Sequence, residues 1–338
     1  GLMDAHQVLD QMLEAGLDAP PLPLDLSGRL RRFGRKKASW YRLREERLDS
    51  GRYVVLGHFG CWRTGVSQRV HVDWRGIGDA ERAELAAQRA ARSAAEQAER
   101  TRLAAQAQMS AAELWRSAAP QGQSAYLARK GVDAEACRFL PDGSIVVPLL
   151  RYDLPREAAL QALQRIWPDG RKRFTRGFAK PGCSLRLGLV TLAEPILVCE
   201  GYATGLTLRM ATARRLPVFV ALDAGNLAPV CTLLRALYPA CPLLICADDD
   251  WRTTGPDGKP LNVGRAKAHK VSREIERVSV TYPAFKPATR AAGDTDFNDL
   301  HRVDGLHEVA RQLRWVLRHL SPTLFDPFVS AVESRAVA

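Results

Sequence analysis

The residues best equipped to do chemistry in this chain are acids that follow apolar runs. Pro195-Ile196-Leu197-Val198-Cys199 leads directly into Glu200-Gly201, and Pro242-Leu243-Leu244-Ile245-Cys246-Ala247 leads into Asp248-Asp249-Asp250. Carboxylates gathered this closely repel one another at neutral pH unless a cation sits among them, and an all-oxygen donor set suits a hard ion such as Mg2+ or Mn2+. In Asp248-x-Asp250, two acids separated by one residue past a strand end can bracket one ion or a pair. Each motif alone also fits a plain structural role, because acidic triplets form solvated turns and Glu-Gly commonly opens a helix. What joins them is position, at corresponding ends of neighbouring strands in a basic chain.

The elements that must hold these acids follow from the pattern after residue 190. The run ending at Cys199 reads as a buried strand, 203–216 as a helix, 218–222 as a strand, 228–238 as a helix, 242–247 as a strand and 265–276 as a helix. Strand and helix in alternation predict a parallel sheet covered on both faces. In such sheets ligands bind at the carboxyl ends of the strands, where the acids are expected. No glycine-rich loop ends in Gly-Lys-Ser/Thr, so no ATPase motor is expected.

Upstream, 4–16 has apolar residues at helical spacing closed by Gly16. Residues 26–74 read as a small antiparallel sheet in which Arg31, Arg32, Arg35, Lys36, Lys37, Arg42 and Arg44 interleave with aromatic residues such as Phe33, Trp40 and Tyr41. That composition suits bases stacked beside a cationic groove, and equally a solvated basic edge over core aromatics. Residues 78–118 are dominated by Ala, Arg, Glu and Gln and predict a long helix joining two domains. Ser144 to Leu150 reads as a strand, and 160–167 as either a strand or a helix. Arg171-Lys172-Arg173-Phe174-Thr175-Arg176-Gly177-Phe178-Ala179-Lys180 is the densest basic segment, suited to template or nucleotide phosphates or to a solvated hairpin.

The chain has 338 residues and a formal net charge of +12, which favours a polyanionic partner. Its seven cysteines are scattered, several within apolar runs, and none forms the close pair a zinc ribbon needs, so they are expected to be reduced core residues and no zinc is expected. No window is long and apolar enough for a membrane span, and Gly1-Leu2-Met3-Asp4 does not open a secretory signal, so a cytoplasmic protein without membrane contact is expected.

Glu200-Gly201 after one strand, Asp223-Ala224-Gly225-Asn226 after the next and Asp248-Asp249-Asp250 after the third resemble the Toprim superfamily. Tyr126-Leu127-Ala128-Arg129-Lys130-Gly131, Ile145-Val146-Val147-Pro148 and Lys172-Arg173-Phe174 resemble the catalytic core of bacterial-type DNA primases. Gly264-Arg265-Ala266-Lys267 and Asp296-Phe297-Asn298-Asp299-Leu300 point to the plasmid, phage and integrative-element branch. The likeness spans residues 120 to 305.

The resemblance implies an α/β fold, a Toprim domain (a Rossmann-like parallel sheet flanked by helices) preceded by an α+β primase-core subdomain and a small N-terminal α+β domain. The expected segments are 1–77, the N-terminal domain; 78–118, a helical linker; 119–190, the core subdomain; 191–303, Toprim; and 304–338, a helix and tail. The activity implied is template-directed synthesis of short primers on single-stranded DNA by a nucleotidyltransferase of the DNA-directed RNA polymerase type, serving a mobile element or plasmid. Asp248 and Asp250 would hold two magnesium or manganese ions with Asp249 or Asp296 assisting, and Glu200 would be a further ligand or the proton acceptor. Arg171, Lys172, Arg173 and Lys180 would face template or nucleoside triphosphate. Arg265 and Lys267 would hold phosphate oxygens or lie on the surface, while Gly201, Asp223, Gly225 and Asn226 would shape the site. Asp299 and His301 are equally compatible with capping and surface roles. The resemblance departs where such primases carry an amino-terminal zinc ribbon. It also implies a replicative helicase, on a separate chain or in a missing carboxyl-terminal region. The rivals are a Toprim nuclease, a topoisomerase, for which the length leaves little room, and a non-catalytic DNA-binding module.

Overall fold

The structure, a computed structural model, describes residues 1–255 and 257–321. The tail expected within 304–338 therefore lies mostly outside the described residues. The chain divides into two compact units, residues 1–99 with 254–259, and residues 100–253 with those from 260 onward.

In the first unit, helix α1 (Ala5–Glu14) opens on a capping box between Asp4 and Gln7 and buries Val8 and Met12. Strands β1 (Ser27–Phe33), β2 (Ser39–Arg47), β3 (Tyr53–Cys61) and β4 (Val66–Arg69) form an antiparallel sheet in that order. Tyr41, Leu43, Val55 and Phe59 enter the core with Val8 and Met12. Helix α2 (Asp79–Ser117) is continuous over the segment expected to be a linker, and its residues are divided between the two units at 99/100.

The second unit continues with α3 (Ala125–Lys130), whose end turns through Gly131 at φ 68°, a left-handed conformation that glycine adopts without steric penalty. Strands β5 (Arg138–Phe139), β6 (Ile145–Leu150), β7 (Leu160–Ile166) and β8 (Lys172–Phe174) follow as an antiparallel sheet. The segment that reads as either strand or helix is thus the strand β7, because pairing with β6 and β8 on its two sides fixes it.

The remaining elements are β9 (Leu185–Leu187), β10 (Ile196–Cys199), α4 (Tyr202–Ala211), β11 (Val218–Val220), α5 (Leu227–Leu237) and β12 (Leu243–Cys246). They are followed by α6 (Val263–Glu274), β13 (Val278–Thr281), α7 (Phe297–Asp304) and α8 (Leu306–Leu320). The sheet order is β13-β12-β10-β11-β9, parallel except for β9. Period-two alternation splits each strand between two cores. Leu197, Cys199, Leu244 and Cys246 point into the layer of α4, α7 and α8, whereas Ile196, Val198, Leu243 and Ile245 point into that of α5 and α6. This is the expected α/β architecture of a parallel sheet flanked by helices.

The connections place the site. The chain leaves β10 through α4 to β11 on one side, and returns through α5 to β12 on the other. The strand order therefore reverses between β10 and β12, and ligands of open α/β sheets bind beyond the carboxyl ends at such a switch point. All seven cysteines are buried and unbridged. No described helix is long and apolar enough to cross a membrane.

Candidate active site

Glu200 follows the last residue of β10, and Asp248 stands two residues past the end of β12, the strand paired beside it. Gly201 caps α4 with open space where a side chain would be, which keeps the approach to Glu200 clear. The Glu200 side chain is buried, and its carboxyl lies close enough to that of Asp248 for the two to share a proton. Burial raises the pKa of both groups, and the charge of Asp250 raises it further. Asp248 Oδ1 is buried without any hydrogen-bond partner.

Asp250 is held at the amino end of α6. Its Oδ2 accepts from the Gly264 N–H at 2.8 Å, and its own N–H donates to Asn262 Oδ1 at 2.8 Å. A Cβ on Gly264 would lie 2.6 Å from the Asp248 carbonyl oxygen, so only glycine lets the helix approach the acidic turn this closely. Asp296 caps α7, accepting from the Asp299 N–H at 2.8 Å. Burial, then the charges of Asp299 and Asp248, push its pKa up, which places it electrostatically in the same cluster.

Asp249 faces the other way. Its carboxylate meets Arg290 at 3.0 Å and Arg265 at 3.5 Å and accepts from Asn262, so it is already neutralised. Arg265 also donates to the Tyr282 hydroxyl at 2.7 Å, with its guanidinium 3.7 Å from the centre of that ring. Lys267 is exposed on α6. The structure therefore gathers Glu200, Asp248, Asp250 and Asp296, and engages Asp249 and Arg265 with each other instead.

Lys180 is paired with Asp223, and Asn226 stitches the segment after Lys180 to the sheet. The Asn226 amide donates to the carbonyls of Cys183 and Ala221, each at 2.8 Å, and its Oδ1 accepts from the Gly182 N–H at 2.9 Å. Gly225 lies in the same short turn, which Asp223 caps. Lys172 is exposed on β8, and its Nζ and that of Lys130 lie 5.8 and 5.7 Å from the centre of the Tyr126 ring. The surrounding protein and the charge of Lys130 lower the Lys172 pKa, partly offset by the charges of Asp296 and Asp248. Arg171 and Arg173, with Arg165, surround the indole of Trp167 at 4.9, 6.0 and 4.8 Å. Asp299 and His301 are more than surface groups. Asp299 completes the α7 capping box and pairs with Arg302, and His301 Nδ1 lies 3.3 Å from Thr207 Oγ1.

Sequence reasoning gave no individual role to Lys130, Tyr126, Asn262 or Arg290. Asn298 brings α3 to the site by donating to the Lys130 carbonyl at 2.9 Å across 168 residues of sequence. The Tyr126 hydroxyl is buried without a partner, and burial, then the nearby Asp296 charge, pushes its pKa up to about 12. No local pattern announces these residues, because long-range packing delivers them.

Among the described residues, no three His, Cys, Asp or Glu side chains converge into a ready-made metal cage. The donor set nonetheless fits a hard divalent cation, with several carboxylates on one sheet edge, an orphaned buried oxygen on Asp248 and repulsion that only a proton or cation relieves. Mg2+ is characteristically held by one or two carboxylates together with water and substrate phosphates, which requires no complete protein cage.

Residues 195–307 match the family described as the Toprim domain. The chain is similar to a DNA primase TraC of Escherichia coli, 29% identical over 236 residues that cover 68% of this chain and 21% of that protein. A second E. coli DNA primase TraC is 30% identical over 166 residues, 48% of this chain and 11% of that protein. The chain thus matches about a fifth or less of the length of these relatives. Among solved structures, the primase fragment of the bacteriophage T7 primase-helicase protein is similar over 57% of this chain and 74% of that one, with 16% identity and a TM-score of 0.41.

Proposed function

From the Toprim match over residues 195–307, we propose that this chain is a DNA primase that joins nucleotides along a single-stranded DNA template, on behalf of a plasmid or other mobile element. The observation that carries the reading is the pairing of Glu200 with Asp248 at the switch point of a parallel sheet, with Asp250 and Asp296 beside it.

Asp248 and Asp250 would hold two divalent cations, magnesium or manganese, with Asp296 assisting. Bound there, the ions would lower the pKa of an attacking 3′ hydroxyl and stabilise the leaving pyrophosphate. The remaining work falls to the chain itself. Glu200, whose proton affinity burial raises, is suited to accept the hydroxyl proton. Lys172 and Lys130 can bind triphosphate oxygens beside the acids. Trp167 and its arginines offer a base-stacking and phosphate-binding surface for the template. Lys180 and Asp223 position the basic segment against the sheet rather than meeting phosphate directly. Because the chain holds no motor motif, a helicase on a separate chain or in a further region is part of the proposal.

The test supplies single-stranded template, all four nucleoside triphosphates and Mg2+, and compares the wild type with Asp248→Ala. Labelled oligomers formed by the wild type alone support the assignment. Equal synthesis in both, or template cleavage without nucleotide incorporation, overturns it, the second outcome indicating a nuclease.

A further inference from the structure

The antiparallel sheet of the first unit has one face in its core and another outside it. Directly opposed residues in antiparallel strands share a face. Across β1 to β4, the pairs Leu30↔Arg42, Arg42↔His58 and His58↔Arg69 define one row on the outer face. Two residues further along the strands, about 7 Å away at the usual rise, Arg32↔Trp40, Trp40↔Gly60 and Gly60↔Ser67 define another. The outer face thus carries Arg42 and Arg69 in one row and Arg32 and Trp40 in the next.

Arg32, Arg42, His58, Ser67 and Arg69 are exposed, and Trp40 is half-buried. Gly60 offers no side chain, and a Cβ there would lie 2.8 Å from the Trp40 indole, so the ring rests against the strand. Trp62 is 46% exposed with its ring centre 6.0 Å from that of Trp40, and the Arg32 guanidinium lies 4.5 Å from its face. In the cationic row, Arg42 Nε donates to the Gly28 carbonyl at 2.7 Å, and the Arg44 guanidinium lies over Gly28. The row continues into a groove of about 580 Å3 lined by five arginines (Arg42, Arg44, Arg69, Arg89, Arg92) against two glutamates, Glu46 and Glu96. Glu46 pairs with Arg92, which leaves an excess of positive charge.

We propose that this face binds single-stranded nucleic acid, its bases stacking on Trp62 and Trp40 and its phosphates following Arg42, Arg69 and the groove. Charge complementarity selects a polyanion, and the exposed Trp62 indole beside the half-buried Trp40 selects one whose bases are free to stack. The site lies wholly within the first unit and involves none of the acids of the candidate active site. Its failure is therefore separable from failure of the polymerase reading.

The experiment measures fluorescence anisotropy of labelled oligo-dT with the full chain, without divalent cation or nucleotides, over a range of salt concentrations. Trp62→Ala is expected to weaken binding roughly tenfold with the salt slope unchanged. Arg42→Ala/Arg69→Ala is expected to weaken it and to reduce the slope of log K against log salt by roughly 0.7 per arginine removed. Ultraviolet crosslinking and peptide mapping should label the segment containing Trp62. Unchanged affinity and slope in both variants with circular dichroism preserved, crosslinks only outside residues 27–96, or equally tight binding of a duplex of the same length would each overturn the proposal.

Discussion

Glu200 and Asp248, at the carboxyl ends of adjacent parallel strands, bring their carboxyl groups close enough to share one proton. Burial opposes ionisation of both, and they stand where the connections of adjacent strands leave on opposite sides of the sheet. The pair is thus arranged at the expense of stability and in favour of a positively charged ligand.

Asp248→Asn should raise the melting temperature in chelator, because it keeps the shape while removing a carboxyl that must take up a proton to be buried there. A gain of about 1 kcal/mol would appear as roughly 2–4 °C in a unit of this size. Added Mn2+ or Mg2+ should stabilise the wild type through preferential binding to the folded state, and this shift should shrink in the variant. Primer synthesis should fall at least about a hundredfold. Differential scanning fluorimetry with and without cation checks the first two, and an identical cation shift in both proteins would contradict the assignment of Asp248.

Gly264→Ala should loosen the acidic turn from α6, since the new methyl meets the Asp248 carbonyl at 2.6 Å. Overpacking of this kind costs about 1–3 kcal/mol. Urea denaturation should show that loss, and the cation-induced stabilisation should weaken with it. A variant as stable as the wild type would mean that the helix approach has slack.

Asn226→Ala should destabilise the second unit by about 3 kcal/mol, because three buried hydrogen bonds lose their partner. Hydrogen exchange should rise first at Gly182, whose N–H is left unpaired. Protection unchanged at that amide would show that Asn226 is not the tether.

Arg173→Ala and Trp167→Ala should separate two contributions to template binding. The arginine change should reduce the salt slope by roughly 0.7, whereas the tryptophan change should weaken affinity about tenfold without altering the slope. If neither moves the template affinity measured by anisotropy, the strand lies elsewhere.

Glu308→Gln tests a pH dependence remote from the site. Hydrogen bonds from Arg311, then from Gln312, hold the Glu308 carboxylate down at about 2, against 4.5 in an unfolded chain. A depressed carboxylate pKa contributes stability above 4.5 that is lost as pH falls from 4.5 towards 2. The melting temperatures of wild type and variant should therefore differ at pH 7 and converge in acid, and a difference that persists unchanged at low pH would refute this origin.

The long apolar runs made most of the parallel sheet legible. β10 and β12 are buried on both faces, so each reads as an uninterrupted hydrophobic segment ending in acid. β9 and β13 were not, because Leu185-Arg186-Leu187 and Val278-Ser279-Val280-Thr281 are too short for alternation to stand out. At the site, sequence located the acids but not their orientation. Asp249 sits between Asp248 and Asp250 in the chain, yet its side chain meets Arg290 and Arg265, which no spacing rule reveals. Lys180 and Arg265 likewise read as phosphate contacts from charge alone, whereas folding gives each a carboxylate partner.

Arg290 does more than neutralise Asp249. It also donates to the Asp294 carbonyl at 3.0 Å, the Asp249 N–H donates to the Thr295 carbonyl at 2.6 Å, and the Trp251 indole donates to the Asp294 carbonyl at 3.2 Å. These bonds tie the acidic turn to the loop delivering Asp296. A ligand that draws Asp248 inward would carry the start of α7 along, so occupancy of the cleft would be felt along the length of that helix.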